Sequence, residues 1–149
     1  SAMNVIPSVG RAAGTVRMLD HVTWAESEAL VRKTIDEILA PYGVTAEVSY
    51  IRGVPPVVNE ALATRIMGEA IDEVVGPDNQ FGAAQSLGGE DFAWFVEQVP
   101  GAMARLGTRT PGGPTYDLHQ GDLQVDERAI SLAAKLLAVA SLRSLVTNA

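Results

Sequence analysis

The chain has 149 residues, of which 47% are hydrophobic and 19% are charged, and its net charge is −7 with a pI near 4.7. This composition is typical of a globular protein and argues against a disordered one. The acidic balance argues against nucleic acid as a partner, because phosphates require a basic face, and the lack of cysteine excludes disulfides and thiolate metal ligands.

The sequence shows no signal peptide. It also shows no apolar run that approaches the ~20 residues needed to cross a bilayer. We therefore expect a cytoplasmic protein without a membrane partner. The first three residues, Ser-Ala-Met, resemble a cloning remnant, and the start on Asn4 leads us to expect that further sequence lies upstream.

The N-terminal part is predicted to form a strand, a helix and a second strand. Residues 13–19 and 44–51 both alternate between apolar and polar side chains, which favours half-buried strands. Between them, Thr23 and Glu26 stand three apart as a capping box that opens a helix. Apolar residues then follow at helical spacing: Leu30, Val31, Ile35, Ile38 and Leu39.

A module boundary is predicted at Pro55 and Pro56, which interrupt regular structure. After it we expect a helix from Glu60, a short aromatic helix behind a glycine pair, a buried strand at 102–107 and a last helix over 126–146. The first of these helices has an apolar stripe of Leu62, Ile66, Met67, Ala70, Ile71, Val74 and Val75. The last has Ile130, Ala133, Leu136, Leu137 and Ala140 facing inward.

His119 lies in a loop rich in Thr, Pro and Gly, where a neutral imidazole could bind a metal ion. A catalytic zinc takes about three protein ligands, and the other histidine, His21, precedes the first predicted helix. By spacing alone, a surface histidine without a role is the favoured interpretation.

Other side chains have similarly open interpretations. Gly88 and Gly89 allow close approach of the backbone to a ligand, and Glu90 behind them could interact with a ligand or simply with a helix N-terminus. Arg17 could bind a carboxylate through its planar fork or lie on the solvent face of an edge strand. Asn4 could be a turn residue before Pro7.

Four motifs in order change this balance: "NVIP…GTVRMLD", "GGEDFAWF", "VPGAMARLG" and "YDLHQGDLQVDE". Together they resemble metallopeptidase family M20, most closely its aminoacylase and hippurate-hydrolase-like branch. The resemblance implies an α/β fold class, in which 4–53 is the second part of an α+β lid and dimerisation domain and 54–149 is the C-terminal part of an α/β catalytic domain. It also implies hydrolysis of the amide bond of N-acyl amino acids or similar small amides.

The same resemblance implies roles for individual residues. His119 matches a ligand of a centre that holds two divalent metal ions, zinc or manganese, while the catalytic glutamate and the other ligands are expected upstream of this chain. Asn4 and Arg17 match lid positions that hold the carboxylate or carbonyl of the substrate. The loop flanking the substrate is matched by Gly88, Gly89 and Glu90.

Two alternatives to an amidohydrolase fragment stay open at this point. The chain could be a non-catalytic dimerisation or binding module without a complete metal site, or a complete small protein with a remnant resemblance. As a fragment of an amidohydrolase, the chain alone is expected to be inactive. We also expect homo-oligomers, with dimers forming through the lid.

Overall fold

The computed structural model describes residue 4 and residues 7–147. Within them lie four α-helices: α1 (His21–Leu39), α2 (Ala61–Val75), α3 (Phe92–Val96) and α4 (Arg128–Thr147). Short 3₁₀ turns follow α1 and α2 at Ala40–Tyr42 and Pro77–Asn79. The described residues contain no β-strand. The predicted α/β fold class is therefore wrong for this structure, which is all-helical.

The chain divides into two compact units. The first contains the described residues up to Pro56 together with Leu87–Gly89, and the second contains Val57–Ser86 and the described residues from Glu90 onward. The loop of the glycine pair thus belongs to the N-terminal unit, although it follows α2 in the chain.

Helix α1 starts earlier than the capping-box pattern predicts. Asp20, not Thr23, caps it: the Asp20 carboxylate accepts hydrogen bonds from the Thr23 backbone N–H at 2.7 Å and from the Thr23 hydroxyl at 2.8 Å. The Thr23 backbone N–H, followed by the hydroxyl, lowers the pKa of Asp20. After the helix, Gly43 adopts a left-handed φ of 63°, which suits glycine and ends the element.

One face of α1 lies against the segment that follows it. The Ser27 hydroxyl is buried and pairs with the Tyr50 hydroxyl at 2.7 Å, and Arg32 donates to the Val48 carbonyl at 2.9 Å. The Arg52 guanidinium lies 5.1 Å from the centre of the Trp24 ring, within cation–π range. These contacts hold residues 48–52 alongside the helix.

The same contacts explain why the predicted strand at 44–51 is absent. A strand requires a neighbouring backbone to pair its N–H and C=O groups. Here Val48 receives a side-chain donor from α1 instead. The alternation survives only in part, since Val48 and Tyr50 are half-buried while Val44 and Ala46 are exposed. The segment 13–19 is likewise unpaired and largely exposed.

The predicted strand at 102–107 is also wrong. An asparagine side chain takes the place that a neighbouring strand would occupy in a sheet. The Asn59 amide donates to the Met103 carbonyl at 3.0 Å and accepts from the Met103 N–H at 2.9 Å. Next to this pair, the Glu60 N–H donates to the Gly101 carbonyl at 2.9 Å. One asparagine therefore satisfies both backbone groups that a neighbouring strand would engage.

Helices α2 and α4 pack against each other in the second unit. The predicted stripe of α2 is confirmed, because every member of it is buried or half-buried, with Ile66 and Ala70 in the buried class. Glu60 caps α2 through hydrogen bonds from the Leu62 and Ala63 N–H groups, of which the Leu62 bond contributes most to lowering its pKa. The predicted face of α4 is partly wrong, since Ile130 and Leu137 are exposed.

An ion-pair network joins the two helices at their surface. Arg143 of α4 donates to Glu73 at 2.7 Å and to Glu69 at 2.9 Å, both on α2. The hydrogen bond with Glu73, followed by the charges of Glu73 and Glu69, raises the pKa of Arg143. Because these ion pairs are partly exposed, they link the two helices at the surface without deciding how the helices pack.

Of the described residues, only α4 forms a helix that is long and apolar enough to cross a membrane, with a mean hydropathy of 1.7. The expectation that no segment meets this test is therefore wrong for length and composition. Core helices of soluble proteins meet the same test, so a single such helix is weak evidence of a membrane span.

Candidate functional site

Arg17 contacts the loop of the glycine pair. Its Nη1 donates to the Leu87 carbonyl at 2.8 Å, across a sequence separation of 70 residues. Both residues belong to the N-terminal unit. The structure thus brings a predicted carboxylate-binding arginine to the residue that directly precedes Gly88 and Gly89.

The glycine pair itself lies close to a second residue of the N-terminal unit. A Cβ atom at Gly89 would lie 3.1 Å from Cγ2 of Val54, which is tighter than an ordinary van der Waals contact. The absence of a side chain at this position therefore permits the close approach. Gly88 and Gly89 are both exposed.

Asn4 is exposed and lies in a turn. This agrees with the simpler interpretation of a turn residue, and its predicted role in holding substrate stays a prediction. Two of its neighbours, residues 5 and 6, lie outside the described residues.

Glu90 belongs to the second unit and precedes the short helix α3. Its Oε1 accepts a long hydrogen bond of 3.4 Å from the Phe92 backbone N–H, and its carbonyl accepts from the Ala93 N–H at 3.0 Å. Phe92 is half-buried and Ala93 is buried. In this structure Glu90 serves the start of α3, which was the alternative to a ligand contact.

His119 is exposed on a loop whose two ends are joined. At the base, the Asp126 N–H donates to the Thr108 carbonyl at 2.7 Å. Within the loop, Arg109 donates to the Thr115 hydroxyl at 3.1 Å. The first of these bonds joins the two ends of the loop that contains His119, and the second lies within the loop.

The backbone of His119 has φ 67°, and it is the one non-glycine residue with positive φ in the described part of the chain. This left-handed conformation is uncommon for residues with a side chain, although histidine tolerates it better than most. Strained conformations of this kind cluster at functional sites. The observation is compatible with a ligand role and does not test it.

Asp126 also connects the His119 loop to helix α4. Its carboxylate accepts from the Arg128 side chain at 2.9 Å and from the Arg128 backbone N–H at 3.0 Å. These bonds, the side-chain one foremost, lower the pKa of Asp126 to about 2. The same ion pair raises the pKa of Arg128.

The described residues do not form the complete metal centre that the resemblance implies. Across residue 4 and residues 7–147, no three His, Asp or Glu side chains form a group that could hold a metal ion. Since a catalytic zinc takes about three protein ligands, these residues do not make up a complete centre. His119 could supply one ligand only.

Of the predicted site residues, the structure therefore brings together Arg17 with the Gly88–Gly89 loop. Sequence reasoning missed Leu87, whose carbonyl makes that contact, and Val54, which packs on Gly89. No local pattern could have identified either one, because both contacts join segments far apart in the chain.

The sequence model of the peptidase family M20/M25/M40 matches residues 4–143. The chain is 51% identical over 127 residues to a Rhodococcus jostii protein whose name describes a glutamate–cysteine ligase. That match covers 85% of this chain but only 16% of the Rhodococcus protein. The name of that protein therefore describes a much longer chain, of which the matching region is a small part.

Two further relatives match almost the whole chain. A probable hydrolase of Synechocystis is 37% identical, over 94% of this chain and 36% of its own length. The N-acetyl-L-cysteine deacetylase of Bacillus subtilis is 30% identical, over 99% of this chain and 34% of its own length. The chain thus spans about a third of the length of these two relatives. No solved structure matches it.

Proposed function

Because this chain belongs to the peptidase family M20/M25/M40, whose members are hydrolases that act on amide bonds, we propose that it is part of a metal-dependent amidohydrolase. The proposed reaction is hydrolysis of the amide bond of N-acyl amino acids or similar small amides. The match of the family model over residues 4–143 carries this proposal. The relative named as an N-acetyl-L-cysteine deacetylase supports the substrate class.

Within this enzyme, the N-terminal unit serves as part of a lid that binds substrate and pairs with a second copy. Arg17 and Asn4 hold the carboxylate or carbonyl of the substrate. The glycine pair flanks the substrate, with Glu90 beside it. The bond between Arg17 and Leu87 supports this assignment, because it places the arginine next to the glycine loop.

His119 supplies one metal ligand in the proposed enzyme, and the loop base at Thr108 and Asp126 positions it. The family is metal-dependent, and zinc or manganese is the proposed metal. As the family resemblance implies, the remaining ligands and the catalytic glutamate of the proposed enzyme lie upstream of these residues. The contribution of this chain is ligation and substrate binding, in a cytoplasmic enzyme.

A chimera tests the proposal. The region of the B. subtilis deacetylase that matches this chain is replaced by residues 4–149, and hydrolysis of N-acetyl-L-cysteine is measured with added zinc or manganese. We expect metal-dependent release of acetate by the chimera and none by the 149-residue chain alone. A folded chimera that binds metal but leaves the amide intact would contradict the proposed activity.

The ligand role of His119 is tested in the same chimera. His119→Ala should lower bound metal and turnover together, because the imidazole is a ligand. Gln120→Ala is the matched control, since it truncates the exposed neighbouring side chain, and it should change neither quantity. Full metal content in the His119→Ala chimera would remove His119 from the centre.

The second candidate, an association module without catalysis, is favoured by one observation. Many large apolar side chains are exposed, among them Val22, Leu30 and Ile38 of α1. Apolar surface of this kind marks interaction sites. A chimera without activity, combined with a stable dimer of the 149-residue chain, would favour this candidate over the enzyme.

A further inference from the structure

The contact between Arg17 and Leu87 assigns a second task to this arginine. A guanidinium group is planar and carries five N–H donors in a fixed arrangement. In the structure, Nη1 donates to the Leu87 carbonyl at 2.8 Å. In the described part of the chain, Arg17 makes no further hydrogen bond or ion pair. The Nε–Nη2 edge therefore has both of its donors available.

That free edge is the one suited to a carboxylate. Two parallel N–H groups match the two oxygens of a carboxylate and form a bidentate pair, which is stronger and more directional than a single bond. The bond to Leu87 limits rotation of the guanidinium plane, because one of its nitrogens is already held. Holding a long, flexible side chain before the ligand arrives reduces the ordering cost of binding.

The loop side of the contact is also constrained. Leu87 is held by the arginine, and Gly89 lies against Val54, so the glycine pair is restrained on both of its sides. Glycine has the greatest conformational freedom of all residues. The contacts at Leu87 and Gly89 therefore restrict a backbone segment that would otherwise be unusually free to change conformation.

We propose that Arg17 is a positioning residue for the glycine loop as well as a carboxylate-binding one: its Nη1 fixes the loop through the Leu87 carbonyl and leaves the Nε–Nη2 edge to receive a carboxylate. The carboxylate half rests on the proposed function. The loop half concerns this chain alone and does not depend on any hydrolytic activity.

The loop half is tested by NMR relaxation on the 149-residue chain. In the wild type, the backbone amides of Gly88 and Gly89 should have order parameters near ~0.85, as in rigid backbone, and in Arg17→Lys they should fall below ~0.6. Lysine keeps the charge but lacks the planar fork. Arg11→Lys is the matched control, because Arg11 is exposed and makes no hydrogen bond or ion pair with the described residues.

Unchanged order parameters at both glycines in Arg17→Lys and in Arg17→Ala would overturn the positioning role. Because Arg17 lies outside α1, neither substitution should change the helical signal in circular dichroism. An unchanged signal shows that the helices are intact in each variant. A loss of order confined to Gly88 and Gly89 is the expected result, whereas a loss spread over α1 would show a general effect on folding and would overturn the specific contact.

The carboxylate half is tested by titration of the same chain. N-acetylglycine should shift the Nε–H resonance of Arg17, whereas N-acetylglycinamide, which has the same acyl group but no carboxylate, should not. A shift with both compounds or with neither would overturn the carboxylate assignment. Because this readout is binding and the chimera measures hydrolysis, failure here and failure of the proposed function are distinguishable.

Discussion

His119 holds its side chain on a left-handed backbone with φ 67°. For an L-residue this conformation costs roughly 1–2 kcal/mol, because Cβ approaches the carbonyl oxygen. In the proposed enzyme, this backbone conformation is one factor that sets the direction of the His119 ring.

Two substitutions that both remove the imidazole separate backbone strain from ligation. His119→Gly should leave the free energy of unfolding within about 0.5 kcal/mol of the wild type, since relief of strain offsets the greater freedom of glycine in the unfolded chain. His119→Val should lose about 1–2 kcal/mol, because a β-branched residue at positive φ is strongly disfavoured. Urea unfolding of the 149-residue chain measures both. Equal stabilities of the two variants would contradict the left-handed assignment.

Helices α2 and α4 form the best-packed pair of elements in the second unit. Ile66 of α2 is 7% exposed, whereas Ile130 of α4 is 69% exposed. The two residues have identical side chains on two helices of the same unit. They provide a matched comparison of what burial contributes.

Ile66→Ala should lower the free energy of unfolding by about 2–4 kcal/mol, because it removes buried methyl groups and leaves a cavity. Ile130→Ala should change it by no more than about 0.5 kcal/mol, as expected for a surface substitution. Chemical denaturation followed by circular dichroism gives both values. If Ile130→Ala were as destabilising as Ile66→Ala, α4 would have to pack through a different face.

The Asp126 carboxylate accepts hydrogen bonds from Arg128 at the start of α4. Its pKa is lowered to about 2, below the ordinary value near ~3.9 of an unfolded chain. A lowered pKa means that the folded state favours the charged carboxylate, so the contribution is fully present above the unfolded pKa. It is lost as the pH falls from about 4 through about 2.

Comparison of wild type with Asp126→Asn checks this direction. The wild type should be more stable at neutral pH, and the difference should shrink progressively as the pH falls from about 4 towards 2, since the native carboxylate becomes neutral. Glu127→Gln is the control, because its side chain makes no hydrogen bond or ion pair with the described residues. A difference that is constant across this range would refute the role of the charge.

Considered as a whole molecule, the described chain buries few side chains completely. The buried apolar residues are Ile66, Ala70 and Ala93, and large apolar side chains are exposed in both units, including Ile51, Phe81 and Leu145. Water in contact with so much apolar surface is unfavourable. Association that covers this surface would lower the free energy of the chain.

We therefore expect the 149-residue chain to self-associate. Light scattering at increasing concentration should give an average mass above the 15.7 kDa of the monomer, rising with concentration because association follows mass action. Raising the ionic strength should weaken the self-association only slightly, because the burial of apolar surface is not screened by salt. A monodisperse monomer at every concentration would be the contrary result.

The sequence alone determined the existence of α1, α2 and α4, because their apolar residues recur at the helical period and that signal is local. It also determined the buried stripe of α2, whose members are buried or half-buried as predicted. The family resemblance likewise depended on local motifs, and the match over residues 4–143 confirms it.

Tertiary structure decided the rest, because strand formation and site assembly depend on partners that are distant in the chain. The sequence predicted three strands, two of them from alternation, but a strand forms only where another backbone can pair with it. Here the Arg32 side chain bonds the Val48 carbonyl in 44–51, and the Asn59 side chain bonds the Met103 carbonyl in 102–107. These side chains take the place of a pairing strand. The contact between Arg17 and Leu87 joins residues 70 positions apart, so no periodicity or spacing could predict it.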